Sequence, residues 1–266
     1  MSLFINPAIL EQVYLPRLLP YREEQHSYLA FCIKPLLNGR TGTNLLVTGA
    51  PGIGKTSCTR FILRKLLEET ENIMPIYVNC WKRDTSSKII NDIAAQMDIK
   101  LAEKIPSDEL FDKMIEKFNK YDGVVFAFDE IDKANDFDFL YRIAEDVPRK
   151  SIFLITNVSD WIAKMDRRLM SRLVLDRLEF KPYKFEEIRG ILYERQKYAF
   201  DPKAWDYDAF ESIIRKTFSS KDIRIGIFLM KFAGEIAETR NAVKIEMDDV
   251  NKAMEKLKDF YDYKDF

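Results

Sequence analysis

The chain has 266 residues, of which 47% are hydrophobic and 32% are charged, and its formal net charge is −1. This length suits one large domain or two modest ones, and the composition is that of a soluble globular protein rather than a disordered one. No apolar run reaches the about 20 residues that a membrane span needs, and the near-neutral charge argues against a generic basic coat for nucleic acid, though not against a local basic patch.

The cysteines and the first residues of the chain indicate in which cellular compartment the protein is expected. Three cysteines, Cys32, Cys58 and Cys80, are odd in number and far apart, which favours reduced, buried thiols over a disulfide framework or a zinc site. The single histidine, His26, has no candidate metal ligands near it in sequence. The start, MSLFINPAILEQV, lacks the features of a secretory signal. We therefore expect a cytoplasmic protein, with association with the nucleoid left open.

The first elements in chain order lead to a glycine-rich segment. We predict an extended lead-in over residues 14–20, a helix from about residue 21, a strand over 44–48 and a helix over 55–71. Between that strand and its helix stands GAPGIGKT, which fits G-x-x-x-x-G-K-[ST] in the setting of strand, loop and helix that this phosphate-binding motif requires. A loop that merely connects the two elements is the alternative, but three of the chain's nine glycines cluster beside Lys-Thr.

The loop predicts nucleoside triphosphate binding. Gly52 and Gly54 allow positive φ angles, so that successive N–H groups form an anion nest at the positive end of the following helix. We expect Lys55 to reach the β- and γ-phosphates and Thr56 to coordinate Mg²⁺. The predicted phosphate-binding residues are Gly49, Ala50, Pro51, Gly52, Ile53, Gly54, Lys55, Thr56 and Ser57.

Further strands follow the loop. A short strand is predicted over residues 75–79, and residues 80–122 carry two helical patterns, with Thr85 and Ser107 as their N-caps. The next strand starts at Gly123 and ends in Asp129-Glu130. Carboxylates at the C-terminal edge of a buried parallel strand lie where open α/β sheets bind ligands. We expect Asp129 to hold Mg²⁺ and Glu130 to polarise the attacking water; solvated acids at a strand end are the alternative.

The rest of the chain predicts a completed sheet and a helical appendix. A helix over 136–147, a strand over 151–156 ending in Asn157, residues 165–172 and a strand over 173–180 follow. This alternation predicts a five-stranded parallel α/β sheet with helices on both faces. Residues 184–266 predict about four helices, one with an apolar face formed by Ile225, Phe228, Leu229, Phe232 and Ile236. The predicted domains are 1–181, lead-in and nucleotide-binding domain, and 182–266, an all-helical lid.

Together these motifs resemble the AAA+ ATPases. RLLPYREE at residues 17–24, YVNC at 77–80, MDRRLMSR at 165–172 and FKPY at 180–183 narrow the resemblance to the origin-recognition and helicase-loader branch. The chain is most similar to the archaeal replication initiators, over residues 14–258. That likeness implies the P-loop AAA+ fold with a helical lid, ATP/ADP and Mg²⁺ as cofactors, and ATPase activity.

The resemblance also assigns catalytic roles. It implies that Asn157 is sensor one, that Arg224 is the sensor-two arginine that reaches the γ-phosphate, and that Arg172 is the arginine finger for a neighbouring subunit's nucleotide. Arg167 and Arg168 compete with Arg172 for the last role, and a solvated surface arginine is the alternative for Arg172 and Arg224. The residues that it places around adenine are Pro20, Tyr21, Arg22, Tyr183 and Ile191.

Two departures from the family pattern bear on function. Tyr21 stands where a histidine is usual, and the sequence stops at Phe266, where family members continue into a DNA-reading winged helix. Either the sequence is truncated or the protein lacks that module. In the second case we expect weak contact with duplex DNA, resting on residues 80–122, whose Trp81-Lys82-Arg83 and Lys88 suit phosphate contact; a solvated helix start is the alternative.

The combined prediction is an ATP-binding, slowly hydrolysing switch protein of the replication-initiator type. Its expected partners are duplex DNA and other AAA+ subunits, or a second copy of itself through Arg172, and no membrane. The alternatives are a clamp-loader-like or transposition-type regulator, or a nucleotide-locked scaffold with little turnover.

Overall fold

The computed structural model describes residues 2–99 and 106–262. Within them the chain forms two compact units. The sheet unit comprises Arg22–Ala50 and Gly54–Lys181, and the helical unit comprises Pro51–Ile53 with residues 2–21 and 182–262.

The sheet unit is built on one parallel sheet. Its strands are β1 Asn44–Thr48, β2 Ile73–Asn79, β3 Gly123–Asp129, β4 Lys150–Ile155 and β5 Leu175–Glu179. They lie in the order β2-β3-β4-β1-β5, and every neighbouring pair is parallel. The predicted five-stranded parallel sheet is therefore confirmed, with strand ends displaced by at most a few residues.

Six α-helices of the described residues belong to this unit. They are α1 Glu23–Ile33, α2 Lys55–Glu69, α3 Ser86–Gln96, α4 Ser107–Phe118, α5 Asp138–Asp146 and α6 Arg167–Leu173. Short 3₁₀ helices are Lys34–Asn38, Ile131–Lys133 and Ser159–Lys164. Helix α1 begins later than predicted because Tyr21 is left-handed, at φ 65°. Thr85 caps α3 as predicted, but α4 begins at Ser107 itself, so its cap position is Pro106 and not Ser107.

Strand β3 is buried on both faces, which explains its continuous apolar run. Val124, Phe126 and Phe128 pack into a core shared with α3, α4, α5 and α6, while Val125 and Ala127, which point the other way, are equally buried. Helix α2 contacts β2 and β3 but contributes no residue to that core, so it covers the opposite face. The parallel register brings the C-terminal strand ends to one edge, where the polar residues of the motifs lie.

The helical unit contains α7 Phe185–Ala199, α8 Tyr207–Ser220, α9 Ile223–Thr239 and α10 Met247–Asp262. Four α-helices in its described residues agree with the prediction. The buried face of α9 is centred on Leu229, Ala233 and Ala237, whereas Phe228, Phe232 and Ile236 are only partly buried. The buried face is therefore rotated from the predicted one: α9 packs with α7, α8 and α10 and buries small residues such as Ala233 and Ala237 beside Leu229.

The lead-in packs within the helical unit. A 3₁₀ helix, Pro7–Leu10, buries Ile9 and Leu10 in its core, and the rings of Phe4 and Phe200 lie 4.6 Å apart. The structure thus places residues 2–21 differently from the predicted division, which grouped them with the sheet. The boundary near residue 182 stays a prediction. Among the described residues, no helix combines the length and apolar character that crossing a bilayer requires.

Candidate nucleotide-binding site

The glycine-rich loop joins β1 to α2 as predicted. Gly49, Gly52 and Gly54 have φ angles of 141°, 71° and 93°, which lie in the region that favours glycine. Gly54 is the N-cap residue of α2, and Lys55 opens the helix. The first N–H groups of a helix have no intrahelical acceptor, so this geometry suits an anion.

Lys55 and Asn157 meet at the C-terminal edge of the sheet. The Lys55 side chain is buried, and its Nζ donates to Asn157 Oδ1 at 2.6 Å and to the carbonyl oxygens of Gly49 and Ala50 at 2.6 and 2.7 Å. Lys55 follows β1 and Asn157 follows β4, and the two side chains meet because these strands are neighbours in the sheet. Two residues far apart in sequence are thus brought into one polar cluster.

Thr56 and Asp129 form a donor set for a hard cation. The Thr56 hydroxyl donates to Asp129 Oδ2 at 2.7 Å, and Asp129 is only 3% exposed. Mg²⁺ prefers oxygen ligands and is usually held by one or two protein groups together with substrate phosphates. The pair fits such an ion. In the part of the chain that the structure describes, no group of three or more His, Cys, Asp or Glu side chains could hold a metal by itself.

Two residues of β2 reach the acidic pair, and the sequence analysis gave neither of them a role. Tyr77 donates its hydroxyl to Asp129 Oδ2 at 2.7 Å, and Asn79 donates its amide to Glu130 Oε2 at 3.4 Å. Burial, and then the nearby Asp129, raises the pKa of Tyr77, so its hydroxyl keeps its proton. Tyr77 and Asn79 share one face of β2, and two polar residues at alternate positions of PIYVN are the signal that could have revealed them.

The Asn157 segment is fixed by a second non-local contact. Thr156, at the end of β4, donates its hydroxyl to Asp132 Oδ1 at 2.7 Å, and the N–H of Val158 donates to the same hydroxyl at 2.9 Å. Asp132 lies in the 3₁₀ helix after Glu130. The residues on both sides of Asn157 are thereby tied to the acidic segment, which orders the loop that carries it.

Arg224 stands at the start of α9, in the helical unit. Asp222, the N-cap of that helix, accepts from the Arg224 N–H at 2.9 Å and from its Nη2 at 2.6 Å. Within the same unit, the Asp222 carboxylate lies against Gly52, and Ile223 donates its N–H to the Gly52 carbonyl at 3.2 Å. Asp222 is a contact of the loop that the sequence analysis missed.

The residues assigned to adenine divide between the units. Arg22 is buried in the sheet unit, where its Nη2 donates to the Lys181 carbonyl at 2.9 Å. Pro20, Tyr21, Tyr183 and Ile191 belong to the helical unit, and their adenine contacts stay predictions. Tyr21 packs over Gly190 of α7, where a Cβ would approach its hydroxyl to 2.1 Å.

Arg172 lies on α6 beside two residues of α5. Its Nε and Nη2 each lie 3.3 Å from a carboxylate oxygen of Glu145, and its guanidinium stacks 4.6 Å from the centre of the Tyr141 ring. Arg167 and Arg168 are exposed at the start of the same helix. The finger role of Arg172 stays a prediction.

Comparison with known proteins identifies the family. A model described as AAA domain matches residues 38–157, and one described as Cdc6 AAA+ ATPase-type lid domain matches 189–255. ORC1-type DNA replication protein 2 of Methanosarcina acetivorans is 30% identical over 97% of this chain and 72% of its own length. This chain belongs to the ORC1-type DNA replication protein family. The resemblance to the origin-recognition branch and the AAA+ fold with a helical lid are confirmed.

Other ORC1-type proteins agree. ORC1-type DNA replication protein 1 of Sulfurisphaera tokodaii is 32% identical over 94% of this chain. The match spans 66% of that protein's length, slightly less than two thirds. The Aeropyrum pernix ORC1 protein, solved in complex with DNA, is 28% identical with a TM-score of 0.85, over 96% of this chain and 70% of that one. As a member of this family, the chain combines an AAA domain with a Cdc6-type lid domain.

Proposed function

We propose that this chain is an ATP-dependent switch module of the replication-initiator class, which binds Mg-ATP and hydrolyses it slowly. The observation that supports this most is the meeting of Lys55, Asn157, Thr56 and Asp129 at one sheet edge. The free energy of hydrolysis would be used to rearrange the lid or a neighbouring subunit. No small-molecule product other than ADP and phosphate is then needed.

Each of these residues has a chemical task in that reaction. Phosphoryl transfer depends on positioning and on neutralising charge. The Lys55 ammonium supplies charge at the β- and γ-phosphates, and Thr56 with Asp129 would hold Mg²⁺, which supplies further charge when bound. Glu130 orients and polarises the attacking water, and Asn157 helps to place it. The family resemblance implies that the Arg224 side chain contacts the γ-phosphate.

Duplex DNA and other AAA+ subunits are the proposed partners. Two of the basic residues after β2 have acidic partners: Arg83 pairs with Asp92 at 2.9 Å and Lys88 with Asp84 at 2.6 Å. That pairing reduces the local positive charge, which supports weak rather than tight contact with phosphates. We propose that subunits meet through the helix that carries Arg172, and that the protein works in the cytoplasm, at the nucleoid.

The proposal is tested by turnover and assembly measured together. The purified chain is assayed for ATP hydrolysis and for sedimentation with ATP, with and without duplex DNA, and with EDTA as the metal-free control. We expect slow, Mg-dependent hydrolysis and ATP-dependent assembly on DNA. Tightly retained ADP, with no turnover and no assembly under any condition, would instead support the nucleotide-locked scaffold.

A further inference from the structure

The strongest unassigned contact near the site is made by Tyr77. Its hydroxyl donates to Asp129 Oδ2 at 2.7 Å, the same oxygen that accepts from Thr56 at 2.7 Å. The other carboxylate oxygen, Oδ1, accepts from the Glu130 N–H at 3.0 Å. An ionised carboxylate has about four lone-pair sites, so three donors fix its plane and still leave it able to accept from a metal's bound water.

The tyrosine is itself held in place. Strand β2 is an edge strand, so the outward N–H and C=O of Tyr77 have no strand partner. Gln96 of α3 takes both: the Tyr77 N–H donates to Gln96 Oε1 at 3.2 Å, and Gln96 Nε2 donates to the Tyr77 carbonyl at 2.9 Å. The Arg60 guanidinium stacks 5.5 Å from the ring centre. The hydroxyl is therefore pre-positioned from its backbone and from its ring.

We propose that Tyr77 is a positioning residue for the magnesium site, orienting the Asp129 carboxylate, and that Gln96 holds Tyr77 in register for that task. This rests on the proposed binding of Mg-ATP at Thr56 and Asp129. A phenylalanine would fill the same space, so packing alone does not require the hydroxyl. Groups that hydrogen-bond to a metal's ligands typically change metal affinity or activity by about 10–100-fold when they are removed.

The test is a Mg²⁺ titration of ATP binding to the whole chain, followed by calorimetry, for wild type and Tyr77→Phe. ATP affinity in EDTA should be the same in wild type and Tyr77→Phe, because, within the described residues, the Tyr77 hydroxyl reaches the phosphate-binding residues only through Asp129. The Mg²⁺ concentration at the midpoint should rise about tenfold in Tyr77→Phe. Tyr28→Phe is the matched control, since it removes a hydroxyl that donates to Asp176 Oδ2 at 3.2 Å in the same unit; its midpoint should not move.

The outcomes separate this proposal from the one on which it rests. If wild type shows no Mg-dependent gain in ATP affinity, the magnesium site and the role of Tyr77 both fail. If wild type shows the gain and Tyr77→Phe has the same midpoint, only the role of Tyr77 fails. If Tyr77→Phe does not fold, Gln96→Ala is tested in its place, because Gln96 is exposed and its truncation should leave the fold intact. It should raise the midpoint by a smaller factor, and an unchanged midpoint would overturn the proposal.

Discussion

The two acidic residues after β3 are adjacent but have different surroundings. Asp129 is buried and accepts hydrogen bonds from Thr56 and Tyr77, whereas Glu130 is half-buried and left-handed, at φ 53°. A left-handed non-glycine residue costs roughly 1–2 kcal/mol. That turn directs the Glu130 carboxylate to Asn79, whose amide donates to it over a long distance of 3.4 Å. One carboxylate is therefore fixed, as a metal ligand requires, and the other retains acceptor capacity for water.

Glu130→Gln should separate binding from hydrolysis. The amide keeps the size of the side chain but cannot take a proton from water, and a positioned base typically contributes about 10²–10⁴-fold. ATP affinity should stay near that of wild type, while single-turnover hydrolysis should fall at least about 100-fold. Glu69→Gln, an exposed change at the end of α2, is the control. Unchanged hydrolysis in Glu130→Gln would remove the catalytic role from this carboxylate.

At the residue scale, sequence predicts what is local. Lys55, Thr56 and Asp129 can be predicted as candidate site residues because each belongs to a short motif whose spacing reflects one turn or one strand end. Tyr77 and Asp222 were not predicted, because their partners lie far along the chain: Tyr77 bonds to Asp129, and Asp222 lies against the glycine loop. Such pairings depend on strand order and helix packing, which no short motif encodes.

At the scale of elements, the loop between β1 and α2 makes the strongest demand on its residues. Gly52 and Gly39 have nearly the same φ, 71° and 65°, but different surroundings. A Cβ on Gly52 would stand 1.8 Å from Asp222 Oδ1, whereas one on Gly39 would meet nothing within 4 Å. Alanine substitutions at the two glycines therefore distinguish the cost of backbone strain, which both share, from the cost of a steric clash, which arises only at Gly52.

Gly52→Ala should cost both stability and ATP affinity. Gly39→Ala, as the matched control, should lose only about 1–2 kcal/mol of unfolding free energy from left-handed strain and should bind ATP normally. Gly52→Ala should lose more, because Asp222 and the loop must move, and its ATP affinity should fall at least about tenfold as the N–H nest is distorted. Thermal unfolding and calorimetry measure the two effects. Equal results for the two variants would contradict the account of the loop.

Elements with strong local patterns were predicted to within a few residues, and those shaped by tertiary packing were not. The strands of the sheet carry apolar runs that end in turn residues, so their positions follow from sequence. The lead-in was misplaced because nothing local shows that Ile9 and Leu10 pack with helices from the other end of the chain. The apolar face of α9 differs from the predicted one for a similar reason, since tertiary packing buries Ala233 and Ala237 and leaves Phe228 and Phe232 only partly buried.

At the scale of the whole molecule, the question is whether hydrolysis needs a second subunit. Arg172 pairs with Glu145 and stacks on Tyr141 within its own sheet unit. An exposed ion pair of this kind is weak because solvent screens it, so Arg172 can exchange Glu145 for another anion at small cost. This is what a donated arginine requires, and such an arginine is worth about 10³–10⁵-fold in turnover in other nucleotide hydrolases.

Arg172→Ala should keep its ATP affinity but lose any turnover that assembly stimulates. Mixing it with Lys55→Ala protein under assembling conditions should restore part of the activity, because the second protein can donate its Arg172 to the intact pocket of the first. Steady-state turnover of each variant and of the mixture gives the answer. If the mixture stays inactive while wild type responds to assembly, Arg172 does not act in trans, and Arg167 and Arg168 become the candidates.

The most direct test of the whole account is calorimetric titration of Mg-ATP into wild type, Lys55→Ala and Lys65→Ala. Lys65 is an exposed lysine on the same helix that pairs only with Glu68 among the described contacts, so it controls for loss of charge. Hydrogen bonds to charged groups contribute about 1.5–3 kcal/mol each. We predict one site per chain in wild type and Lys65→Ala, and at least about 100-fold weaker binding in Lys55→Ala with its fold retained. Equal affinity in all three proteins would contradict the nucleotide site.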